Sequence, residues 1–357
     1  MNETVAGLPH EAIVTRLRSA GLALDFGLVR ARVRSDVPAL PDLLRRLYGA
    51  FPALPSEGFF DLTVGLYRQR GLRRVVRPQV VFQVDGSVPF QPFPADTHLP
   101  LLEWGMNWCI AQRCHRYLLL HAGVVEREGR AVLLPAHPGS GKSTLTAGLA
   151  CRGYRLLSDE FGVVDLDSGR LLPLLRPVAL KNESIDVIRR FAPQAVLGPE
   201  FPKTRKGTVA HLAPSPESVE RRHVPAQPFL IVFPKYAPGS PVAVERVSAP
   251  RAFVKLSGNA FNYETLGPAA FDAVARLTRT CEAYRLQYGD LEQAVRAVDR
   301  LMGRAPRAGE KEAAFGKRAD VPDMADEKES ESGDVARRCS GTARTPSPLN
   351  LPLERGG

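Results

Sequence analysis

The spacing of apolar and polar positions changes several times along the chain, and each change marks an element. LALDFGLVRARVRSD, residues 22–36, alternates over part of its length, as a half-buried strand does. PDLLRRLYGAF predicts a short helix with Pro41 near its first turn. FFDLTVGLYR and QVVFQVDGSVPF predict strands, the second broken by a turn at Asp85-Gly86. These patterns make residues 1–95 a small mixed α/β unit, with nothing chemical in its motifs. DTHLPLLEWGMNWCIAQRCHR then predicts a long apolar helix opened by Asp96 or Thr97. Trp104 and Trp108 lie four apart on one face of it, which points to packing rather than to a ligand box.

From Tyr117 the pattern changes. YLLLHAGVVER predicts a strand, EGR a turn, and AVLLPA a second, fully apolar strand. KSTLTAGLACR predicts a helix with Leu145 and Leu149 at i, i+4, stopped by Gly153. YRLLSDEFGVVDLDSGRLL follows as a strand and a turn at Asp167-Ser168-Gly169. ESIDVIRRF is a helix with Asn182 as its candidate cap. FLIVFPKY and VAVERVS are sheet strands. DLEQAVRAVDRLMG closes the folded part, with Asp290 and Gln293 near a capping box, a stripe of Leu291, Val295, Val298 and Met302, and Gly303 as the stop. Residues 304–357 are polar, of mixed charge, and expected to be a disordered tail. No internal repeat is visible.

Composition narrows the function classes. With 44% hydrophobic residues in a chain of 357, there is enough apolar material for a sizeable core. The net charge of +10 is scattered arginine, which gives nucleic acid no concentrated patch. No apolar run reaches the roughly 20 residues of a membrane span, and the N-terminus lacks the pattern of a signal peptide. Five cysteines without a C-x-x-C pair fit reduced thiols, so a cytoplasmic protein is expected.

The chemistry concentrates in LLPAHPGSGKST, residues 133–144. Its end matches the phosphate-binding (Walker A) loop G-x-x-x-x-G-K-[ST], except that Ala136 replaces the first glycine. Pro138, Gly139, Ser140, Gly141, Lys142, Ser143 and Thr144 are the expected nucleotide-binding residues. The glycines allow the backbone N–H groups to turn inward, and the helix start adds its dipole. Lys142 offers a charge to the β- and γ-phosphates, and Ser143 a hydroxyl to Mg²⁺. Asp159 and Glu160 follow 17 residues after Lys142 (159 minus 142), one helix and one turn on, so they are expected on the strand beside the loop. That spacing is the one small kinases use. One carboxylate can hold Mg²⁺ and one can take a proton from an attacking hydroxyl. Ordinary alternatives remain: Asp159 can end a strand, and Glu160 can be a solvated surface residue. ATP is expected over GTP, because no N-K-x-D guanine motif is present.

LLLHAG…AVLLPAHPGSGKST…GYRLLSDE resembles the core of the HPr serine kinases, bacterial P-loop protein kinases. LLRPVALKNESIDVI resembles the stretch that follows there. The match is closer to the HprK-related kinase A group, whose K-T-R-K-G segment is similar to Lys203–Gly207 and whose C-x-x-Y-x-L-x-Y-x-D-L segment is similar to Cys281–Leu291. The resemblance spans roughly residues 115–303. It implies an α/β, HPr kinase/PEP carboxykinase-like P-loop domain over residues 96–303, with ATP and Mg²⁺ as cofactors. It also implies Asp159 as the catalytic base, Glu160 as a metal partner and His121 as a histidine of the active site. His121 can equally be a satisfied histidine at a strand end. Ser158-Asp159-Glu160 stands where the family has Ala-Asp-Asp, and the full phosphorylase signature has no equivalent. Arg176, Lys181, Arg205 and Lys206 are candidate substrate or phosphate contacts, the KTRKG loop being otherwise a solvated turn. Members of the family form hexamers, so a homo-oligomer is implied, although no residue here specifies one.

The function expected is ATP-dependent phosphorylation of a serine in a protein or peptide. Two other readings use the same residues: a small-molecule P-loop kinase and a non-catalytic ATP-gated module. About 135 residues precede the loop, unlike the small-molecule kinases, and the paired carboxylates argue against a purely binding role.

Overall fold

The computed structural model describes residues 3–303, which fold as a mixed α/β chain with three sheets. The expected tail, residues 304–357, lies outside the described residues. Helix α1 (His10–Arg18) is followed by β1 (Leu22–Asp25), β2 (Arg30–Ser35), α2 (Leu40–Leu47), β3 (Leu62–Arg68), β4 (Gln79–Val84) and β5 (Phe93–Pro94). The five strands form one sheet in chain order. Residues 22–36 are therefore a pair of antiparallel strands rather than one. β1 is buried throughout and only β2 alternates, with Gly27 at φ +97° in the reversal between them. Asp85 and Gly86 both take positive φ in the turn after β4, as the sequence suggested.

Helix α3 (His98–Arg113) lies against this sheet. Neither Asp96 nor Thr97 caps it through a side chain; the Thr97 hydroxyl instead donates to the Pro94 carbonyl at 2.8 Å. Trp104 and Trp108 both pack on Phe90, with ring centroids 4.4 and 5.1 Å away, so this is the expected packing face. Gly105 lets Phe82 approach so closely that a Cβ there would meet its ring at 2.5 Å.

The chain continues through β6 (Tyr117–Arg127), β7 (Arg130–Pro135), α4 (Lys142–Cys151), β8 (Arg155–Ser158), β9 (Phe161–Asp165) and β10 (Leu171–Leu172). Next come β11 (Val178–Lys181), α5 (Glu183–Phe191), β12 (Phe201–Thr204), β13 (Gly207–Leu212) and α6 (Pro216–Glu220). The last elements are β14 (Gln227–Tyr236), β15 (Ala243–Arg246), α7 (Ala249–Ser257), α8 (Tyr263–Leu266), α9 (Pro268–Thr280), β16 (Glu282–Tyr288) and α10 (Leu291–Met302). An eight-stranded sheet runs β10-β9-β6-β7-β14-β16-β15, with β8 also on β6; β11-β13-β12 form a small third sheet.

Strands β7, β14 and β16 are mutually parallel at the centre. Their apolar runs are what a strand buried on both faces needs. Leu133 and Ile231 of these strands pack with Leu256 of α7 and Val274 and Leu277 of α9 in one core. Helix α4 approaches β6 at Gly123, where a Cβ would lie 2.1 Å from Thr146 Oγ1.

The segment expected as a single strand, YRLLSDEFGVVD, runs along one edge of β6 but breaks at Asp159-Glu160. Val124, Val125 and Glu126 pair with β8, and Tyr117 to His121 pair with β9. The carboxylates thus sit in the link between two strands, and β6 separates them from β7. They are not on the strand next to the loop, as the spacing suggested, because β6 occupies that position.

A buried ion pair anchors β8. Arg155 donates to Glu126 through Nε, and its Nη1 donates to the carbonyls of both Arg221 and Val224 at 2.9 Å. Both side chains are about 1% exposed. Removing one partner strands a buried charge, so Glu126→Ala should cost about 3–5 kcal/mol, read as a lower urea midpoint at unchanged slope. Among the described residues no helix is long and apolar enough to cross a membrane.

Candidate functional site

The site begins where β7 ends. Gly139 and Gly141 hold φ +85° and +87°, a region in which side chains are strained. Gly141 is needed twice over, since a Cβ would also lie 2.3 Å from the Tyr288 hydroxyl. That hydroxyl donates to the Gly141 carbonyl at 3.0 Å, and the Tyr236 N–H donates to the Ser140 carbonyl at 3.0 Å. The ends of β14 and β16 therefore clamp the loop from one side. His137, Pro138 and Gly139 are exposed on the other. Ala136 is buried and outside the left-handed region, so its methyl replaces a glycine without strain.

Lys142 opens α4, with Ser143 and Thr144 half-buried in its first turn. The first N–H groups of a helix have no partner within it and carry the positive end of its dipole. Lys142 Nζ donates to the Asp159 main-chain carbonyl and lies 3.6 Å from Asp159 Oδ1. Both side chains are buried, yet Asp159 Oδ1 has no hydrogen-bond partner among the described residues.

His121 closes the other side. Its partner across the strands is Phe161, which puts it beside Glu160, with Nε2 3.6 Å from Oε1. Burial, followed by the charge of Lys142, pushes the His121 imidazole down to about 4, against the pull of Glu160. Burial alone would raise Glu160, but Lys142, His121, Lys181 and Lys206 outweigh it and hold the carboxyl below its ordinary value. Burial and Lys206 lower Lys181, while Glu160 and Asp159 oppose them.

Arg176, in the link between β10 and β11, is buried behind the carboxylates. It donates to Asn107 Oδ1 and lies 3.6 Å from Glu103 Oε2. With Ser158, Asp159, Glu160 and His211 it lines a cleft of about 30 Å³. Lys181 and Lys206 stay exposed, within electrostatic reach of Glu160. The Arg205 guanidinium stacks 5.4 Å over Phe93 instead. Asn182 does not cap α5. It takes φ +51°, and its amide oxygen accepts from the Thr208 N–H at 3.1 Å.

Glu103, Asn107 and His211 were not legible as site residues. Glu103 and Asn107 lie in an apolar helix that carries no motif, and His211 is one polar residue in the strand GTVAHL. Burial, followed by Arg176 and Lys181, pushes His211 down to about 3. Buried His211 and half-buried His121 are both neutral in the fold, against an ordinary value of about 6.5 when unfolded. Between these values the unfolded chain binds more protons, so stability present at pH 7 is lost as the pH falls below about 6.5. Urea unfolding at pH 7 and at about pH 5 should show the loss, and His211→Leu should flatten it.

No protein-family model matches the chain. No curated protein matches it significantly. What the chain does has to be inferred from its own residues.

Proposed function

We propose that the chain is an ATP-dependent kinase that transfers the γ-phosphate to a serine hydroxyl of a protein or peptide. The observation that carries this is the junction of two halves: a twice-glycine turn opening a helix at Lys142, and an Asp159 carboxylate with one unpartnered oxygen beside that lysine. On this reading residues 136–143 are a P-loop and the central sheet is an HPr kinase-like core.

ATP with Mg²⁺ supplies the phosphoryl group and neutralises its charge when bound. The N–H groups of Gly139 to Ser143 bind phosphate oxygens, and the α4 dipole favours them. Lys142 adds a point charge already held in place by Asp159. The Ser143 hydroxyl and the carboxylates of Asp159 and Glu160 would suit Mg²⁺, which takes one or two carboxylates and keeps waters and phosphates for the rest. The described residues hold no cluster of three or more acidic, histidine or cysteine ligands, in keeping with an ion that arrives with its nucleotide. Asp159 is the group placed to accept the acceptor's proton. Neutral His121 beside Glu160 adds no positive charge but can hydrogen-bond. Lys181 and Lys206 add positive charge beside the carboxylates for the transferring phosphate or the acceptor's backbone, while Arg176 lies buried behind them, paired with Glu103.

Calorimetric titration tests the nucleotide half. ATP should bind with Mg²⁺ present and more weakly once the ion is chelated. A wild-type chain that binds neither ATP nor another nucleotide would sink the proposal.

A further inference from the structure

Behind the reacting groups, four buried atoms of four residues have no hydrogen-bond partner among the described residues: Asp159 Oδ1, Glu103 Oε2, Arg176 NH1 and His211 Nδ1. The residues are 7%, 5%, 8% and 2% exposed. All four line the same cleft of about 30 Å³. We propose that this cleft is a buried water site and that Glu103, Arg176 and His211 are positioning residues, which hold the Asp159 carboxylate through bridging water. The catalytic part rests on the kinase reading; the water site does not.

A buried polar atom left unsatisfied costs about 1–3 kcal/mol, so four on residues that line one cleft favour a hydrogen-bonding occupant. The space fits about two waters, at roughly 10–15 Å³ each. Each charged group of the lining already faces an opposite one: Arg176 has Glu103 at 3.6 Å, Asp159 has Lys142 at 3.6 Å, and Glu160 lies beside His121 within electrostatic reach of Lys181 and Lys206, so a neutral molecule completes the hydrogen bonds. Water can donate to the two carboxylates while accepting from the guanidinium. The seat is also anchored at its far end. The Tyr48 hydroxyl donates to Glu103, and Tyr48 directly follows α2 beside the first sheet. The orientation of Asp159 is thereby tied to the chain segment that carries the N-terminal sheet.

A high-resolution crystal structure of the full chain should show ordered water bonded to both Asp159 Oδ1 and Arg176. A collapsed cleft with Arg176 directly on Asp159 would overturn the proposal, whether or not the chain is a kinase. Kinetics test the positioning role. His211→Asn keeps a hydrogen-bonding atom near the place of Nδ1, whereas His211→Gln moves it toward Nε2. The asparagine variant should retain kcat to within a few-fold. The glutamine variant should lose on the order of 10- to 100-fold, as second-layer partners do, with KM for ATP unchanged. Equal losses in both, or a loss carried by KM, would contradict it. Arg176→Ala should regain part of its lost kcat with added guanidinium ion, and urea unfolding checks that each variant is folded. A wild-type chain without transfer would remove the kinase reading and leave the water site to be decided by the crystal structure.

Discussion

Asp159→Asn should bind ATP about as tightly as the parent chain and transfer almost no phosphate. The side chain keeps its size and its main-chain carbonyl, which Lys142 still reaches. The loop, clamped by Tyr236 and Tyr288, does not depend on the carboxylate. What disappears is the proton acceptor and an anionic oxygen for Mg²⁺. General base catalysis alone is worth about 10²–10⁴-fold, so kcat should drop by at least that range, with the ATP dissociation constant changed by no more than a few-fold. Single-turnover transfer beside calorimetric binding separates the two quantities. Full activity in this variant would remove Asp159 from the chemistry.

Lys142→Ala should show the opposite split, with binding lost first. A charge-assisted hydrogen bond to phosphate is worth about 1.5–3 kcal/mol, which converts to roughly a 10- to 150-fold weaker dissociation constant for ATP. A second cost falls on the fold. Lys142 is the cation next to the buried Asp159, so its removal leaves a carboxylate at 7% exposure with no partner. The double variant Lys142→Ala/Asp159→Asn should regain stability over Lys142→Ala alone, because the stranded charge is gone. That rescue, measured by urea unfolding, would be absent if the two residues did not interact.

The sequence made much of this site readable, and the limits have physical causes. Strands β6 and β7, the glycine turn and α4 follow from local patterns: continuous apolar runs, glycines that demand positive φ, and a clean helical repeat. Asp159 and Glu160 were legible as a pair by spacing. Their placement was not, because the order β9-β6-β7 depends on pairing between distant segments, and a strand break leaves no local mark in LLSDEFGVV. Arg176 was legible only as a basic residue; its ties to Glu103 and Asn107 join segments 73 and 69 residues apart, which no local pattern records. His211 and Glu103 were silent, since a single polar residue in an apolar stretch looks the same whether it faces solvent or a buried cleft. Asn182 misled for a related reason. An asparagine before a helix is a cap by local rules, but here its amide oxygen is taken by the Thr208 N–H at 3.1 Å, a partner 26 residues away.

Transfer to a serine can be followed with γ-labelled ATP. The purified chain should be incubated with labelled ATP, Mg²⁺ and the protein products of its neighbouring genes, with Asp159→Asn alongside. Label should appear on a protein as phosphoserine with the parent chain and not with the variant. Tight ATP binding with no label on any protein, or with label only on a small hydroxylated metabolite, would contradict it.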